Sequence, residues 1–287
     1  MNGASKVVRI GAGAREARLG GGGPLALIAG PCVIEGQELA LEVAFALKEI
    51  AARLGMPFVY KSSYTKDNRS SVDYYQGPGL AKGLDILARV RDDAGVAVLS
   101  DVHGAAEAAP AASVLDVLQI PAYLSQQTSL ALACGETGKP VNVKKGQFIA
   151  PEDMAKVAAK IASTGNDAIS LTERGSTFGY RQLVVDMRSL AILARTGYPV
   201  VFDATHAVRI YGRPSADPTG GEPEFIPLLA RAAVAAGCDA IFLEAHPDPA
   251  NARCDASSQM ALSKVEGLLA TLVAIDAARR GRDRVPA

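Results

Sequence analysis

At 287 residues the chain has room for one large domain or two ordinary ones, and 49% of it is apolar, enough for a sizeable core. Its 30 basic and 30 acidic residues cancel, so net charge gives no reason to expect nucleic acid or an anionic membrane as partner. Any basic patch must be local, as a small anionic ligand requires, and the four scattered cysteines, without a C-x-x-C pair, make no disulfide framework.

The opening residues read as an amphipathic hairpin: K-V-V-R-I, a Gly-rich turn, then R-E-A-R-L. Four consecutive glycines, Gly20 to Gly23, separate it from the rest of the chain, which sets residues 1–24 as an extension in front of one domain over 25–287. From Leu25 a single unit recurs, a short Val/Ile/Leu/Phe run ending in polar residues and then a longer Ala/Leu-rich stretch. The strand candidates are Leu25–Cys32, Pro57–Ser63, Val96–His103, Val117–Pro121, Pro140–Gly146, Ala168–Gly175, Pro199–His206 and Ala240–Pro247. Such near-continuous apolar runs belong to strands buried on both faces, as in parallel sheets. Between them lie helical patterns such as E-L-A-L-E-V-A-F-A-L-K-E-I and M-A-K-V-A-A-K-I-A, closed by Gly55, Gly95, Gly165, Gly197 and Gly237.

Eight strand–helix units predict an α/β fold, a (β/α)8 barrel with the hairpin added in front. A doubly wound open sheet would carry G-x-G-x-x-G after its first strand, and the turn here is G-P-C-V-I-E-G. No apolar run reaches membrane-spanning length, and M-N-G-A-S-K-V-V-R-I-G lacks the apolar core of a signal peptide. The expectation is a cytoplasmic protein without a membrane or nucleic-acid partner.

In a barrel the C-terminal ends of the strands converge on one mouth. Those ends carry Cys32, Lys61-Ser62-Ser63, Asp101 and His103, Gln119, Asn142-Lys144-Lys145, Glu173-Arg174, Asp203 with His206, and Glu244 with His246 and Asp248. All three histidines of the chain fall there. The loop K-S-S-Y-T-K-D-N-R-S-S (Lys61 to Ser71) reads either as a solvated surface loop or as an anion site, because phosphate and carboxylate want several charge-assisted donors at once.

The mouth residues divide into two chemical sets. Lys61, Lys66, Arg69, Lys144, Lys145 and Arg174 form a cationic group suited to a ligand with two or more negative charges. Cys32, His206, Glu244 and Asp255 are zinc- or iron(II)-type ligands, brought together if strand eight closes on strand one. Cys32 taken alone reads equally well as a small buried hydrophobe.

The segments I-A-G-P-C, K-S-S-Y-T-K-D-N-R-S-S, G-P-G-L-A-K-G, L-Q-I-P-A, V-N-V-K-K-G-Q-F, L-T-E-R-G-S-T-F-G-Y, V-V-D-M-R-S-L, F-D-A-T-H and E-A-H-P-D-P resemble 3-deoxy-D-manno-octulosonate 8-phosphate synthases, from about Leu25 to about Leu269. The K-x-N-R-S-S form of the loop separates this family from its seven-carbon sister, which usually has K-P-R-T there. The resemblance implies a homotetrameric barrel that condenses phosphoenolpyruvate with arabinose 5-phosphate and water, releasing inorganic phosphate. It implies that Lys61, Ser63, Lys66 and Lys144 face the phosphoenolpyruvate carboxylate, and that Lys144, Arg174 and the backbone near Ala122 hold its phosphate. Asn68, Arg69 and Ser70 would hold the pentose phosphate, with Gln119, Asn142, Gln147 and Asp203 completing the substrate-binding set. Candidate acid/base or water-orienting groups are His206, Asp255 and the Asp101/His103 pair, without individual roles.

The family has a metal-requiring group with Cys in G-P-C and a metal-independent group with Asn there. Cys32 and C-D-A-S-S-Q-M resemble the first, implying a divalent metal (zinc, iron(II), manganese or cobalt) on Cys32, His206, Glu244 and Asp255. The chain departs from the family where Gln126 and Gln76 replace the usual arginines, where D-V-H-G carries Gly104 for the usual Glu, and in the loop Arg209–Glu224, R-I-Y-G-R-P-S-A-D-P-T-G-G-E-P-E, in place of an L-P-G-G form. Other readings are a related phosphoenolpyruvate-dependent synthase with another aldose phosphate, and a non-catalytic paralogue that binds sugar phosphates.

Overall fold

The computed structural model describes residues 4–177, 181–214, 217 and 219–281. The F-G-Y of L-T-E-R-G-S-T-F-G-Y, three residues of the loop after His206 (Ser215, Ala216 and Pro218) and the outermost ends of both expected segments lie outside those residues.

The chain opens with an antiparallel hairpin, β1 (Val7–Ile10) and β2 (Ala17–Gly20), in which Val7 faces Gly20 and Ile10 faces Ala17. Eight parallel strands come next: β3 (Ala26–Gly30), β4 (Phe58–Lys61), β5 (Ala97–Asp101), β6 (Val117–Ile120), β7 (Val141–Lys144), β8 (Ile169–Glu173), β9 (Val200–Asp203) and β10 (Ala240–His246). Each pairs with the next, and β10 pairs with both β9 and β3, so the sheet closes into the expected barrel. A two-residue strand, β11 (Met260–Ala261), adds to the outer end of β10.

The helices are α1 (Gln37–Arg53), α2 (Leu80–Asp93), α3 (Ala105–Ala112), α4 (Thr128–Glu136), α5 (Met154–Ala162), α6 (Arg188–Ala194), α7 (Ile226–Ala236) and α8 (Leu262–Arg279). Their apolar stripes pack on the outer faces of the strands. In α1 the buried positions Ala40, Val43, Ala44, Leu47, Ile50 and Ala51 follow the three- and four-residue spacing of one helix face. Gly237 closes α7 at φ 113°, a backbone state that a side chain would oppose.

Two apolar layers result. The larger lies between strands and helices and includes Leu27, Tyr60, Val98, Leu118, Val143 and Leu243. The smaller fills the barrel's lower interior, where Val8, Ile10, Ala17 and Leu19 of the hairpin meet Ala26, Ile28, Val59, Leu99, Val117, Val201 and Phe242. The alternating exposure of β1 explains this placement: Val8 and Ile10 point inward while Val7 and Arg9 face out. The extension is therefore the plug of the barrel floor.

Candidate active site at the barrel mouth

Alternation along each strand carries the interior from that floor to the mouth. On β4, Val59 belongs to the plugged layer, and Lys61, two residues on, is buried above it. The Phe242 ring lies between the levels, with Lys144 Nζ 3.2 Å and Lys61 Nζ 5.4 Å from its centroid. Cation–π attraction of this kind helps hold two buried ammonium groups where water cannot. Gly30 permits the geometry, because a Cβ there would stand 2.0 Å from the Lys61 carbonyl oxygen. Any side chain would push β3 and β4 apart at the mouth.

The mouth encloses a cavity of about 120 Å³. Lys61, Lys66, Asn68, Asp101, His103, Gln119, Ala122, Lys144, Gln147, Arg174, Asp203 and His206 line it, so the structure brings most of the expected site together. Asp67, Pro121, Tyr123 and Leu124 line it too and were not foreseen. Tyr123 and Leu124 lie on the short 3-10 turn that follows β6, where strand spacing says nothing.

Buried charges are held as pairs. Lys61 donates to Glu244 at 3.0 Å and to the Cys32 carbonyl at 3.2 Å, and lies 3.7 Å from Asp101. Lys144 donates to Asp203, whose other oxygen accepts from Thr205 and from the His206 amide at 3.1 and 2.9 Å. Burial works against ionising Asp203, but His206 and Lys144 hold its carboxyl well below the usual range. Asp101 behaves alike: burial opposes the charge, and Lys61, Lys66 and His103 prevail. For Lys144 burial wins, pulling the ammonium down to about 8 despite Asp203.

Several expected residues support the cavity rather than line it. The Ser63 hydroxyl donates to Asp101. Asn142 donates to Gln119 at 2.8 Å while accepting from Ser170 and Thr172, and Gln119 donates to Asp101 at 2.6 Å. Lys145 turns away from the cavity to bridge the Gly146, Ile149 and Gly175 carbonyls and the Ser176 hydroxyl, tying two loops together. Ser70 is exposed. Arg69 points toward the Cys254 sulfur at 2.9 Å and lies 3.9 Å from Asp255. His103 packs edge-on to Tyr64, and its backbone amide donates to the Glu107 carboxylate at 3.1 Å. Glu107 also accepts from the Tyr64 hydroxyl at 2.6 Å.

Three of the four expected metal ligands, His206, Glu244 and Asp255, have ligand atoms within 4.8 Å of one another, and the fourth, Cys32, falls in a second such group with Cys254 and the shared Asp255. Nδ1 of His206 lies 2.8 Å from Asp203, which aims Nε2 toward Glu244 and Asp255 at 3.7 and 3.6 Å. A carboxylate behind an imidazole is how metal-binding histidines are oriented.

Cys254 was missed as a candidate. It touches Cys32 sulfur to sulfur at 3.0 Å, longer than a disulfide, and its adjacency to Asp255 in C-D-A-S-S-Q-M was the available signal. The Gln259 side chain of the same segment ties the corner, accepting from the Cys32 amide at 3.2 Å and donating to the Cys254 carbonyl at 2.8 Å.

This corner fits a divalent cation. Glu244 Oε2 is buried without a hydrogen-bond partner, and carboxylates, an imidazole and thiols converge. Burial pushes the Cys32 thiol well up, helped by Cys254 and Asp255, and a cation would supply the charge that a thiolate there needs. Asp255 is the one residue other than glycine at positive φ among the described residues (48°), a left-handed conformation that Asp tolerates better than most.

The fold and this mouth define the class: a (β/α)8-barrel protein with a cationic, small-molecule cavity beside a thiol–imidazole–carboxylate corner. The chain belongs to the DAHP synthetase I family, which it matches over residues 7–279. It is 54% identical over 260 residues to the 2-dehydro-3-deoxyphosphooctonate aldolase of Pelobacter propionicus, covering 91% of this chain and 95% of that protein. The proteins of the same name from Trichlorobacter lovleyi and Syntrophotalea carbinolica are 53% and 52% identical, over 92% and 93% of this chain and 96% of each relative. Among the described residues no helix is long and apolar enough to cross a membrane.

Proposed function

We propose that the protein condenses phosphoenolpyruvate with D-arabinose 5-phosphate and water, giving 3-deoxy-D-manno-octulosonate 8-phosphate and inorganic phosphate, the reaction of the synthase family that the relatives' name denotes. The observation that carries the reading is the mouth itself. Lys61, Lys66, Lys144 and Arg174 line one cavity with Asn68 and His206, the donor set that two phosphorylated substrates and a carboxylate require.

In this reading Lys61, Lys66 and Lys144 take the carboxylate of phosphoenolpyruvate, and Ser63 supports them through Asp101. Lys144, Arg174 and the backbone near Ala122 take its phosphate. Gln119 and Asn142 fix Asp101, and Gln147 flanks Arg174. Asn68, Arg69 and Ser70 serve the pentose phosphate, which requires Arg69 to turn from Cys254 when that substrate arrives. Binding energy at both ends then holds the enol methylene against the aldehyde. As the carbon–carbon bond forms, C2 of the enol gains positive character, water adds there, and phosphate leaves by cleavage of the C2–O bond. In this reading the Asp101/His103 pair serves the protons of water and of the new alcohol, and His206 and Asp255 orient the water from the ligand corner.

The ligands Cys32, His206, Glu244 and Asp255 would hold zinc, iron(II), manganese or cobalt, which supplies Lewis-acid stabilisation of charge on a carbonyl-derived oxygen. On the same proposal the protein assembles as a homotetramer and works in the cytoplasm; Tyr123 and Phe148, 56% and 80% exposed, are apolar surface that a contact between copies would cover.

A phosphate-release assay with phosphoenolpyruvate and a panel of aldose phosphates tests the reading. Arabinose 5-phosphate should be the preferred acceptor. Preference for another aldose would point to a different synthase, and release with none would reject catalysis.

A further inference from the structure

The loop Arg209–Glu224, which departs from the family's usual form, reaches two places at once. At its base Arg209 lies 3.6 Å from Asp255 and donates to Ser257 at 3.2 Å, beside the metal-ligand corner. Two residues on, Tyr211 crosses to two side chains that line the cavity, Gln147 and Arg174. Its hydroxyl accepts from the Gln147 side-chain amide and, at 3.0 Å, from Arg174 Nη1. The guanidinium carbon lies 6.0 Å from the Tyr211 ring centroid. The crossing is braced by backbone: Tyr211 N–H donates to the Arg181 carbonyl at 2.8 Å, Ile210 bridges to Gln182, and Ile210 N–H donates to the Gly220 carbonyl at 2.9 Å.

We propose that Tyr211 is a positioning residue for the phosphate end of the phosphoenolpyruvate site, holding Arg174 and Gln147 in the orientation that receives the phosphate; this rests on the function proposed above. A free arginine side chain carries rotamer entropy that binding must otherwise overcome. Here one of its five N–H donors is anchored on the phenol oxygen, and a guanidinium fork keeps its other donors for an anion. Gln147 and Arg174 are both buried, so their orientation is set inside the protein before a ligand arrives. Two donors converge on the Tyr211 oxygen, which leaves its own proton to give away. Tyr123, also lining the cavity, lies against that hydroxyl. No motif exposed this role, because the loop differs from its family counterpart and its ends are joined by pairings that sequence spacing does not show.

The test is Tyr211→Phe in the metal-loaded enzyme, which keeps the ring and removes the hydroxyl. KM for phosphoenolpyruvate, and its Kd by calorimetry in the absence of the pentose, should each rise about tenfold, the scale of one charge-assisted hydrogen bond. The pentose KM and kcat should change less than about twofold, a split that general loosening of the fold would not produce. In an Arg174→Lys background the same substitution should have little further effect, since the partner it acts through has gone. Equal phosphoenolpyruvate affinity in wild type and Tyr211→Phe overturns the role of Tyr211 alone. So does an undiminished loss in the Arg174→Lys background. A wild type that does not bind phosphoenolpyruvate overturns the functional reading and this role with it.

Discussion

The two ends of the barrel interior are built on the same strands and obey opposite rules. Val59, Leu99, Val117, Val201 and Phe242 belong to the floor, sealed by the hairpin. Two residues further along the same strands stand Lys61, Asp101, Gln119, Asp203 and Glu244, all buried and polar. The change takes about 7 Å, two residues of strand rise. Below it, burial of each large apolar side chain stabilises by about 1.5–3 kcal/mol. Above it, desolvation of each charge costs several kcal/mol, which pairing offsets incompletely. Stability and chemistry are therefore stacked along one axis. The hairpin lets the floor carry the fold while the mouth keeps charges that a core would reject.

If that division holds, damage at the mouth should abolish activity and leave the barrel standing. Chelation of the metal, or Cys32→Ala, is expected to remove turnover by more than roughly a hundredfold, beyond the loss typical of residues behind a metal ligand. Added manganese, cobalt, iron(II) or zinc should restore part of it to the chelated wild type and none to the variant. Circular dichroism of both should keep the native α/β signature. Full turnover in protein shown by elemental analysis to be metal-free would return Cys32 to a small buried hydrophobe.

Damage at the floor should do the reverse. Leu19 is fully buried where the hairpin enters the barrel, and Leu19→Ala should lower unfolding free energy by about 2–5 kcal/mol in a denaturant titration. Below the unfolding transition, both KM values should stay within about twofold of wild type, because apolar packing separates Leu19 from the ligand cavity. A large change in either KM would mean that the floor sets the geometry of the mouth.

This layering also explains what the sequence could and could not reveal. Barrel strands announce themselves because both faces are buried, as in A-L-I-A-G or A-I-F-L-E-A-H, and the hairpin shows its alternation in K-V-V-R-I. Strand-end residues such as Lys61, Asp101 and Asp203 were legible for the same reason: the mouth follows from topology. Side chains at loop tips were not. Arg69 turns toward Cys254, and Lys145 turns out to brace carbonyls although Lys144 beside it faces the cavity. Tyr211 meets Arg174 across 37 positions of sequence. Such contacts depend on loop conformation, which has no period to read.

The smallest expected effect lies where the two regimes meet, at Lys144. Its ammonium sits over Phe242, the roof of the apolar floor, and burial lowers it to about 8, with Lys61 adding repulsion and Asp203 opposing. Only the cationic form attracts the substrate's carboxylate and phosphate, so the sign is fixed: affinity is full below about pH 8 and declines as pH rises through that value. Because kcat/KM reports groups of the free enzyme, kcat/KM for phosphoenolpyruvate should be level near neutrality and then fall, approaching tenfold per pH unit. Asp203 is held ionised well below this window and adds no break of its own. Lys144→Arg, whose guanidinium does not titrate there, should flatten the alkaline limb even if its maximum is lower. A wild-type profile that stays level to about pH 9.5, against the direction burial imposes, would show that the ammonium is not the group that meets the anion.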